Sequence, residues 1–376
     1  MLKIDGKNKK VVGIVVECNP FHKGHKRLLK ECKKHGDIIV AVMSGNFVQR
    51  GEPGVFDKEK RTKDLIDNGV DIVIEIPVQY VLSSAKYFAK GAIQILEKLG
   101  FVDYLVFGSK VADVEKLKDY AEMVQIEKFN YEKDSEIKRN LKAGKTYAKA
   151  LSDVIGEKLS SNDILAIEYL IALDEMKSKI LPIAIERKDD LPTATELRAK
   201  IKKKVTTNDF TEILNYKILY AKVESYGKDK NLLDDIYLMT KDMRNAIMKT
   251  AGDAMTFDER ALKLKTKNRT LAYIKRVFFN IILDVRKEGS HSLPLHMQVG
   301  SRAIVILGVK DKSLWILKYI KEPFLMSFAP SSYRTFVKKY KKSKEIRQDK
   351  NGDFILSENL KTNIFADKIY YMVGKL

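Results

Sequence analysis

The sequence predicts an α/β protein, with a parallel sheet in the first half of the chain and a mainly helical region in the second. Short unbroken runs of apolar residues alternate with helix-length amphipathic segments from Met1 to Lys110. Unbroken apolar runs are typical of strands that are buried on both faces. Because helices of this length between strands imply right-handed crossovers, we expect the strands to be parallel. Beyond about residue 205 the alternation stops and longer helical segments follow.

Four strands and three helices are expected in this alternating part of the chain. The strands are 11–16, 38–43, 72–77 and 104–107, and the helices are 24–35, 56–68 and 84–99. Gly36, Gly69 and Gly100 directly follow these helices, as glycine often does at a helix C-terminus.

The rest of the chain is expected to be mostly helical. Charged helices are expected over residues 111–180. A strand is expected next at 181–186, and then a loop at 191–198 that enters a short helix. Later helices are expected at 211–223, 231–249 and 268–285, and a late strand at 303–309. Because the strand–helix alternation is lost there, we place a domain boundary near residue 205, between regions 1–205 and 206–376.

The composition excludes several classes of protein. The 376 residues are 45% apolar and 32% charged, which is typical of a soluble globular protein and excludes a largely disordered chain. No apolar stretch approaches the roughly 18 residues of a membrane span, and the N-terminal segment lacks the small-residue cleavage site of a signal peptide. Cys18 and Cys32 are too few for a disulfide framework or a zinc site. We therefore expect a cytoplasmic protein with reduced thiols and no membrane contact.

The positive charge is concentrated in the second half of the chain. Residues 1–200 hold 35 Lys and Arg against 31 Asp and Glu, whereas residues 201–376 hold 35 against 19. The net charges are therefore +4 and +16, within a total of +20. This concentration favours a polyanion partner such as nucleic acid, because each neutralised phosphate releases a counterion. The alternative is a generally lysine-rich, solvated surface.

The segment Asn19-Pro20-Phe21-His22-Lys23-Gly24-His25 predicts a nucleotide site. It lies between the first strand and the first helix, and ligands of parallel sheets bind at the carboxyl ends of strands. A helix start presents free N–H groups to phosphate, and glycine allows a close approach to the backbone. The two imidazoles are three residues apart, so one helical turn places them together, where they can hydrogen-bond phosphate oxygens. A purely structural role is the alternative for either ring.

Other motifs of cofactor and metal chemistry are absent. The sequence has no G-x-G-x-x-G, which argues against a dinucleotide-dependent oxidoreductase, and no H-E-x-x-H or C-x-x-C. Gly144-Lys145-Thr146 has the end of a phosphate-binding loop, but Arg139 stands where that loop needs its first glycine. We therefore expect a polar loop there and predict no metal site.

The strand, the His-x-Gly-His turn and the later segment 195–198 together resemble the HIGH-type nucleotidyltransferases. Three longer segments, 13–25, 43–53 and 71–77, resemble the bacterial tRNA(Met) cytidine acetate ligase family. Shorter similarities extend the resemblance over nearly the whole chain, at 107–109, 161–165, 185–187, 269–270 and 274–276. The sequence departs from the family at Cys18, where an aromatic residue is expected. The resemblance implies a Rossmann-like parallel sheet of the HIGH type with a basic, mostly helical C-terminal region. Residues 1–205 are then expected to form the catalytic domain that binds ATP and acetate, and residues 206–376 a basic, mainly helical tRNA-binding region.

The family resemblance also implies a reaction and its partners. Acetate and ATP form acetyl-adenylate and pyrophosphate. Mg²⁺ is expected with the ATP, because a magnesium-bound triphosphate is the usual substrate form. The acetyl group then passes to the wobble cytidine of elongator tRNA(Met), giving N4-acetylcytidine.

The resemblance implies an ATP-binding set at matching positions. It comprises Val12, Gly13, Ile14, Val15, Val16, Glu17, Cys18, Asn19, Pro20, Phe21, His22, Lys23, Gly24, His25, Gly108, Asn162 and Arg187. Among these we expect His22, His25 and Lys23 to be catalytic, because acetate approaches a triphosphate only when its charge is neutralised. The alternatives are a solvated charge for Lys23, a helix cap for Asn162 and an ion pair with Glu186 or Asp189 for Arg187.

Further candidates are assigned to acetate and to tRNA. Polar or basic side chains expected near the same edge of the sheet are candidate acetate or phosphate ligands: Ser44, Asn46, Arg50, Thr195 and Arg198. Residues 263–276 hold six basic side chains and no acid, and in 333–344 aromatic residues alternate with lysines. The candidate tRNA ligands are Lys263, Lys265, Lys267, Arg269, Lys275, Arg276, Arg334, Lys338 and Lys339. Each stretch has a solvated helix face as its alternative.

Two other functions compete with a tRNA-modifying ligase. A small-molecule adenylyl- or cytidylyltransferase would need no basic half, so the +16 on residues 201–376 argues against it. A non-catalytic RNA-binding protein on the same fold would not need the intact pair His22 and His25.

Overall fold

The computed structural model describes residues 2–4, 7–129, 135–187, 194–287, 304–321, 324–326, 346–348, 354–356 and 358–374. Its strands are β1 (Leu2–Ile4), β2 (Lys7–Lys9), β3 (Val11–Val16), β4 (Ile38–Ser44), β5 (Phe47–Val48), β6 (Glu52–Pro53), β7 (Ile72–Ile76), β8 (Tyr104–Ser109), β9 (Leu181–Glu186), β10 (Ile304–Val309), β11 (Phe324–Met326), β12 (Ile346–Gln348) and β13 (Phe354–Leu356).

The α-helices surround the sheet and fill most of the second half of the chain. They are α1 (Lys23–His35), α2 (Lys58–Asp67), α3 (Val78–Val81), α4 (Ala85–Leu99), α5 (Val114–Phe129), α6 (Glu136–Lys142), α7 (Tyr147–Ile155), α8 (Ser161–Glu175), α9 (Ala194–Ala199), α10 (Thr211–Glu224), α11 (Lys241–Met248), α12 (Phe257–Lys263), α13 (Leu271–Ile282) and α14 (Glu358–Val373).

The central sheet has seven strands in the order β11-β10-β7-β4-β3-β8-β9. From β3 the chain continues to β4 and β7 on one side, and it later adds β8 and β9 on the other. All five of these strands are parallel, which confirms the predicted α/β class. The order reverses at β3, so a crevice is expected at the carboxyl ends of β3 and β8.

Helices cover both faces of the sheet, which explains why its strands are apolar without interruption. One face packs α1 and α2 through Leu29 and Leu65, and the other packs α4 through Leu96. Gly13 is required by this packing, because a Cβ there would lie 2.9 Å from Cδ2 of Leu96. These layers fix the position of the loop that follows β3.

One predicted strand is confirmed and one predicted helix differs. The late strand predicted at 303–309 is found as β10. It runs antiparallel to β7, because the chain reaches it through the helical region and no crossover helix sets its direction. The helix predicted over 231–249 is wrong in its first half, since α11 begins only at Lys241. The Thr240 hydroxyl caps that helix by accepting the N–H of Met243 at 3.1 Å.

The second half of the chain contributes to the same sheet as the first. β10 and β11 extend it, and α14 packs beside β7, where the ammonium group of Lys58 is buried between Glu75 and Asp367. Near residue 205 the chain therefore changes from alternating strands and helices to mainly helices, but strands from both halves belong to one sheet. The assignment of residues 206–376 to tRNA binding stays a prediction. None of the helices in the described part of the chain has the length and apolar composition needed to cross a bilayer.

Candidate active site

A cavity of about 400 Å³ opens at the carboxyl ends of β3, β8 and β9, where the strand order predicts it. It is lined by Val15, Val16, Glu17, His22, Gly24, His25, Arg27, Leu28, Gln49, Phe88, Phe107, Gly108, Asn162, Leu165, Tyr169, Ile185, Glu186 and Arg187. Residues predicted from four separate segments of the sequence therefore meet at one site.

The two histidines are held by the first turn of α1. Nδ1 of His22 accepts the N–H of Gly24 at 3.0 Å, and Nδ1 of His25 accepts the N–H of His22 at 3.2 Å. Because Nδ1 is an acceptor in both neutral rings, each carries its proton on Nε2. The ring centroids are 4.1 Å apart. The turn thus offers two adjacent Nε2–H donors, which suits a phosphate ligand.

Both histidines are neutral at physiological pH. Burial, with His22 and Arg187 nearby, lowers the pKa of His25 to about 3. Burial, with Arg187 and Arg198 nearby, also lowers the pKa of His22. The rings therefore act as hydrogen-bond donors, and the positive charge of the site comes from the arginines.

The arginines lie around the same turn. Arg187 follows β9, and its backbone N–H donates to the carbonyl of Ser109 at 2.9 Å, which places its exposed side chain at the cavity. Arg198 on α9 donates to the carbonyl of Asn19 at 2.9 Å and to the hydroxyl of Thr195 at 2.8 Å. The predicted segment 195–198 is thereby attached to the histidine turn.

Gly108 and Asn162 also line the cavity. A Cβ on Gly108 would meet no atom within 4 Å, so the backbone faces open space. The cap of α8 is Ser160, whose hydroxyl accepts the N–H of Asp163 at 3.2 Å. The amide of Asn162 is therefore not the cap of this helix, and it lines the cavity with Leu165 and Tyr169, at helical spacings of three and seven residues.

Glu17 and Gln49 form an additional polar contact that the sequence did not suggest. The carboxylate of Glu17 accepts the N–H of Gln49 at 2.6 Å. Burial raises the pKa of Glu17, against the opposing effects of this hydrogen bond and of Arg61. Several other lining residues were not predicted as site residues from the sequence: Arg27, Leu28, Phe88, Phe107, Leu165, Tyr169, Ile185 and Glu186. Ile185 pairs with Gly108 across the parallel strands β8 and β9, so a known register would have found it.

Several predicted residues support the turn without lining the cavity. Val12, Gly13 and Ile14 are buried in β3. Asn19 accepts the N–H of Val55 at 2.7 Å, and the ring of Phe21 stacks on that of His25 with centroids 5.5 Å apart. Pro20 belongs to the same turn. Burial raises the pKa of the Cys18 thiol, which argues against a thiolate nucleophile.

Other candidates are not brought into the cavity. Lys23 is exposed at the start of α1, and Arg50 is exposed. Ser44 and Asn46 are buried behind the site: the Ser44 carbonyl accepts from Arg61 at 3.2 Å, and Asn46 accepts the N–H of Lys58 at 2.9 Å. Since their polar groups are used within the fold, contact of Ser44 and Asn46 with acetate stays a prediction that this geometry does not support.

The predicted tRNA ligands differ in their exposure and in their contacts within the protein. Lys265 and Lys267 are exposed. Lys275 pairs with Glu52 at 3.3 Å, and Arg276 donates to the carbonyl of Gln49 at 3.0 Å, because α13 packs on the loop after β5. Lys263 pairs with Asp253 at 3.1 Å, and Arg269 is half-buried. Arg334, Lys338 and Lys339 lie outside the described residues.

Within the described ranges, no three His, Cys, Asp or Glu side chains cluster as metal ligands.

Comparison with known proteins identifies a family. A family profile described as HIGH Nucleotidyl Transferase matches residues 9–202 and 191–375. The tRNA(Met) cytidine acetate ligase of Thermoanaerobacter sp. (strain X514) is 34% identical over 83% of this chain and 86% of that protein. The enzyme of the same name from Acetivibrio thermocellus is 30% identical, over 97% and 95%. The crystal structure of Thermotoga maritima TmcAL bound with alpha-thio ATP superposes with a TM-score of 0.80 at 25% identity, covering 97% of this chain and 95% of that one.

Proposed function

The chain belongs to the HIGH nucleotidyltransferase family, among its tRNA(Met) cytidine acetate ligases, and from this membership we propose that it is an ATP-dependent ligase that acetylates the wobble cytidine of elongator tRNA(Met). The product is N4-acetylcytidine. One observation of the structure carries the proposal: the paired Nε2–H donors of His22 and His25 lie beside Arg187 in a cavity at the point where the strand order reverses.

The first step joins acetate to the α-phosphorus of ATP. An acetate oxygen attacks that phosphorus, the bond to the bridging α–β oxygen breaks, and pyrophosphate leaves. His22 and His25 donate hydrogen bonds to the phosphate oxygens as charge develops, and Arg187 and Arg198 reduce the repulsion between carboxylate and triphosphate. Gly108 lets the base lie against the backbone, and Asn162, which also lines the cavity, contacts the nucleotide.

The second step transfers the acetyl group to RNA. The exocyclic N4 amine of the cytidine attacks the acetyl carbonyl, AMP leaves, and the amine loses one proton. This step requires the RNA to approach the mouth of the cavity. The net charge of +16 on residues 201–376, with Lys265 and Lys267 exposed, supports tRNA binding by this region.

Mg²⁺ is proposed to accompany the triphosphate. This cation usually keeps several waters and binds through phosphates with one or two carboxylates, and the carboxylates of Glu17 and Glu186 line the cavity. When bound, the cation would neutralise phosphate charge. We also propose that the enzyme works in the cytoplasm, where its tRNA substrate is available.

Acetate-dependent exchange of radiolabelled pyrophosphate into ATP tests the first step in the absence of tRNA. We expect exchange with acetate, none without it, and none in His25→Ala, which should bind tRNA within a few-fold of wild type. Nucleoside mass spectrometry of tRNA(Met) incubated with ATP and labelled acetate tests the second step. Exchange that ignores acetate would contradict the ligase proposal in favour of a different nucleotidyltransferase.

The basic region has its own test. Lys267→Ala should lower the slope of log affinity for tRNA against log salt by about one, because one phosphate contact is lost. An unchanged slope would remove Lys267 from the interface.

A further inference from the structure

Helix α10 has apolar side chains on two opposite sides. Leu214, Ile218 and Ala221 are buried and pack the helix against its neighbours. The other side exposes five large side chains, which we call the tyrosine face: Tyr216 (65% exposed), Leu219 (47%), Tyr220 (48%), Val223 (63%) and Tyr226 (91%). Contiguous exposed apolar side chains of this kind mark a binding surface, whereas single ones need no explanation.

Two rings of the tyrosine face lie nearly parallel to each other. Tyr216, Tyr220 and Val223 are four and three residues apart, so they share one side of the helix. The rings of Tyr216 and Tyr220 are nearly parallel, with planes inclined by 17° and centroids 6.1 Å apart. Tyr226 follows the end of the helix at Glu224, and its N–H donates to the carbonyl of Val223 at 3.1 Å. Stacked, exposed aromatic rings offer π faces and edges to a planar ligand.

Lysines lie close to the tyrosine face along the chain. Residues 216–230 contain four lysines and two acids. Lys228 pairs with Glu224 at 3.9 Å and Lys230 with Asp235 at 2.6 Å, whereas Lys217 follows Tyr216 directly on α10. The side chain of Asn215 donates to the carbonyl of Met255 at 3.1 Å and accepts from Arg260 at 2.8 Å. These contacts tie α10 to the segment that leads directly into the basic stretch 263–276. The face therefore lies within the half of the chain that carries the net charge of +16.

We propose that the tyrosine face binds unpaired nucleotides of the tRNA substrate by stacking, an inference that rests on the proposed function. Tyrosine stacks on bases of any sequence, and neighbouring lysines bind the phosphates between them. A second copy of the chain is the weaker candidate. Five side chains at these exposures offer on the order of 500 Å² per copy, less than the ~800 Å² per partner of a standard stable interface.

Single substitutions test the stacking. Tyr216→Ala, Tyr220→Ala and Tyr226→Ala are compared with the matching phenylalanine variants for binding of unmodified tRNA(Met) transcript by fluorescence anisotropy. At about 1–3 kcal/mol per stacked base, each alanine variant should bind about 5- to 150-fold more weakly, and phenylalanine should retain affinity. The salt slope should stay unchanged, because no phosphate contact is lost. Ile126→Ala, an equally apolar exposed site on α5 (52% exposed), is the matched control and should bind as wild type does.

Different failures have different signatures. Circular dichroism and thermal unfolding first establish that each variant is folded. The stacking proposal would be overturned if the alanine variants bound tRNA(Met) like wild type. It would also be overturned if they lost as much affinity for a loop-free RNA duplex as for tRNA(Met). A change in the sedimentation coefficient of the free protein would instead identify an interface between copies and would also overturn it. If the wild type binds tRNA with the predicted pattern but never acetylates it, the proposed function fails while the stacking surface stands.

Discussion

Because His25 is buried, we expect the free energy of unfolding to decrease on acidification. The substitution His25→Gln should remove this contribution. The pKa of this ring is about 3 in the fold, compared with 6.5 in an unfolded chain. Between these two values the unfolded state binds a proton that the folded state does not, so stability falls as the pH falls below 6.5. At pH 5 the difference is about 1.5 pK units, which at about 1.36 kcal/mol per unit gives about 2 kcal/mol. Little of this cost is present at pH 7.

Urea unfolding of wild type and His25→Gln at pH 7 and pH 5 measures this effect. Because glutamine cannot titrate, the decrease in unfolding free energy between the two pH values should be smaller in the variant by about 2 kcal/mol. His35→Gln, in the last turn of the same helix, keeps His25 and should show the full decrease. Equal pH dependence in wild type and His25→Gln would refute the reasoning, because the ring would then be protonated or solvated in the fold.

Three further substitutions test other contacts of the site. Gly24→Ala places a Cβ 2.7 Å from Cε1 of His22, so it should displace the ring. The lost helix cap should destabilise the protein by about 1 kcal/mol. ATP binding, measured by calorimetry, should also become weaker. Gly108→Val projects into open space, so it should raise KM for ATP at least about tenfold by steric exclusion with little change in melting temperature. Arg276→Met removes a charge-assisted hydrogen bond to the carbonyl of Gln49 and should cost about 1.5–3 kcal/mol in urea unfolding; an unchanged midpoint would contradict that anchoring role.

Local sequence was sufficient for the strand–helix units between Val11 and Phe107. The apolar run 11–16 is buried except at the half-buried Val15, which lines the cavity, because helices cover both faces of this strand. Helix ends were also predictable to within a few residues, because capping depends on neighbouring residues. The direction of β10 was not predictable, since its pairing with β7 joins segments far apart in the chain and has no local signal.

The candidate site divides in the same way. His22, Gly24 and His25 interact within one helical turn, so their arrangement follows from their spacing. Family resemblance supplied the distant residues Gly108, Asn162 and Arg187, which the motif alone would not have joined to that turn. Gln49, although within the similar segment 43–53, was not predicted as a site residue, and neither was Tyr169. Both reach the cavity only through the packing of a loop and of α8.

The sequence by itself determined the type and approximate extent of most elements, the histidine turn and the basic character of the second half. Only the tertiary structure decided which basic side chains face solvent: Lys265 and Lys267 are exposed, whereas Arg276, in the same basic stretch, holds the loop of Gln49. It likewise exposed the tyrosine face of α10. The physical reason is that periodicity identifies side chains that share a helix face, whereas burial of that face depends on segments far away in the sequence.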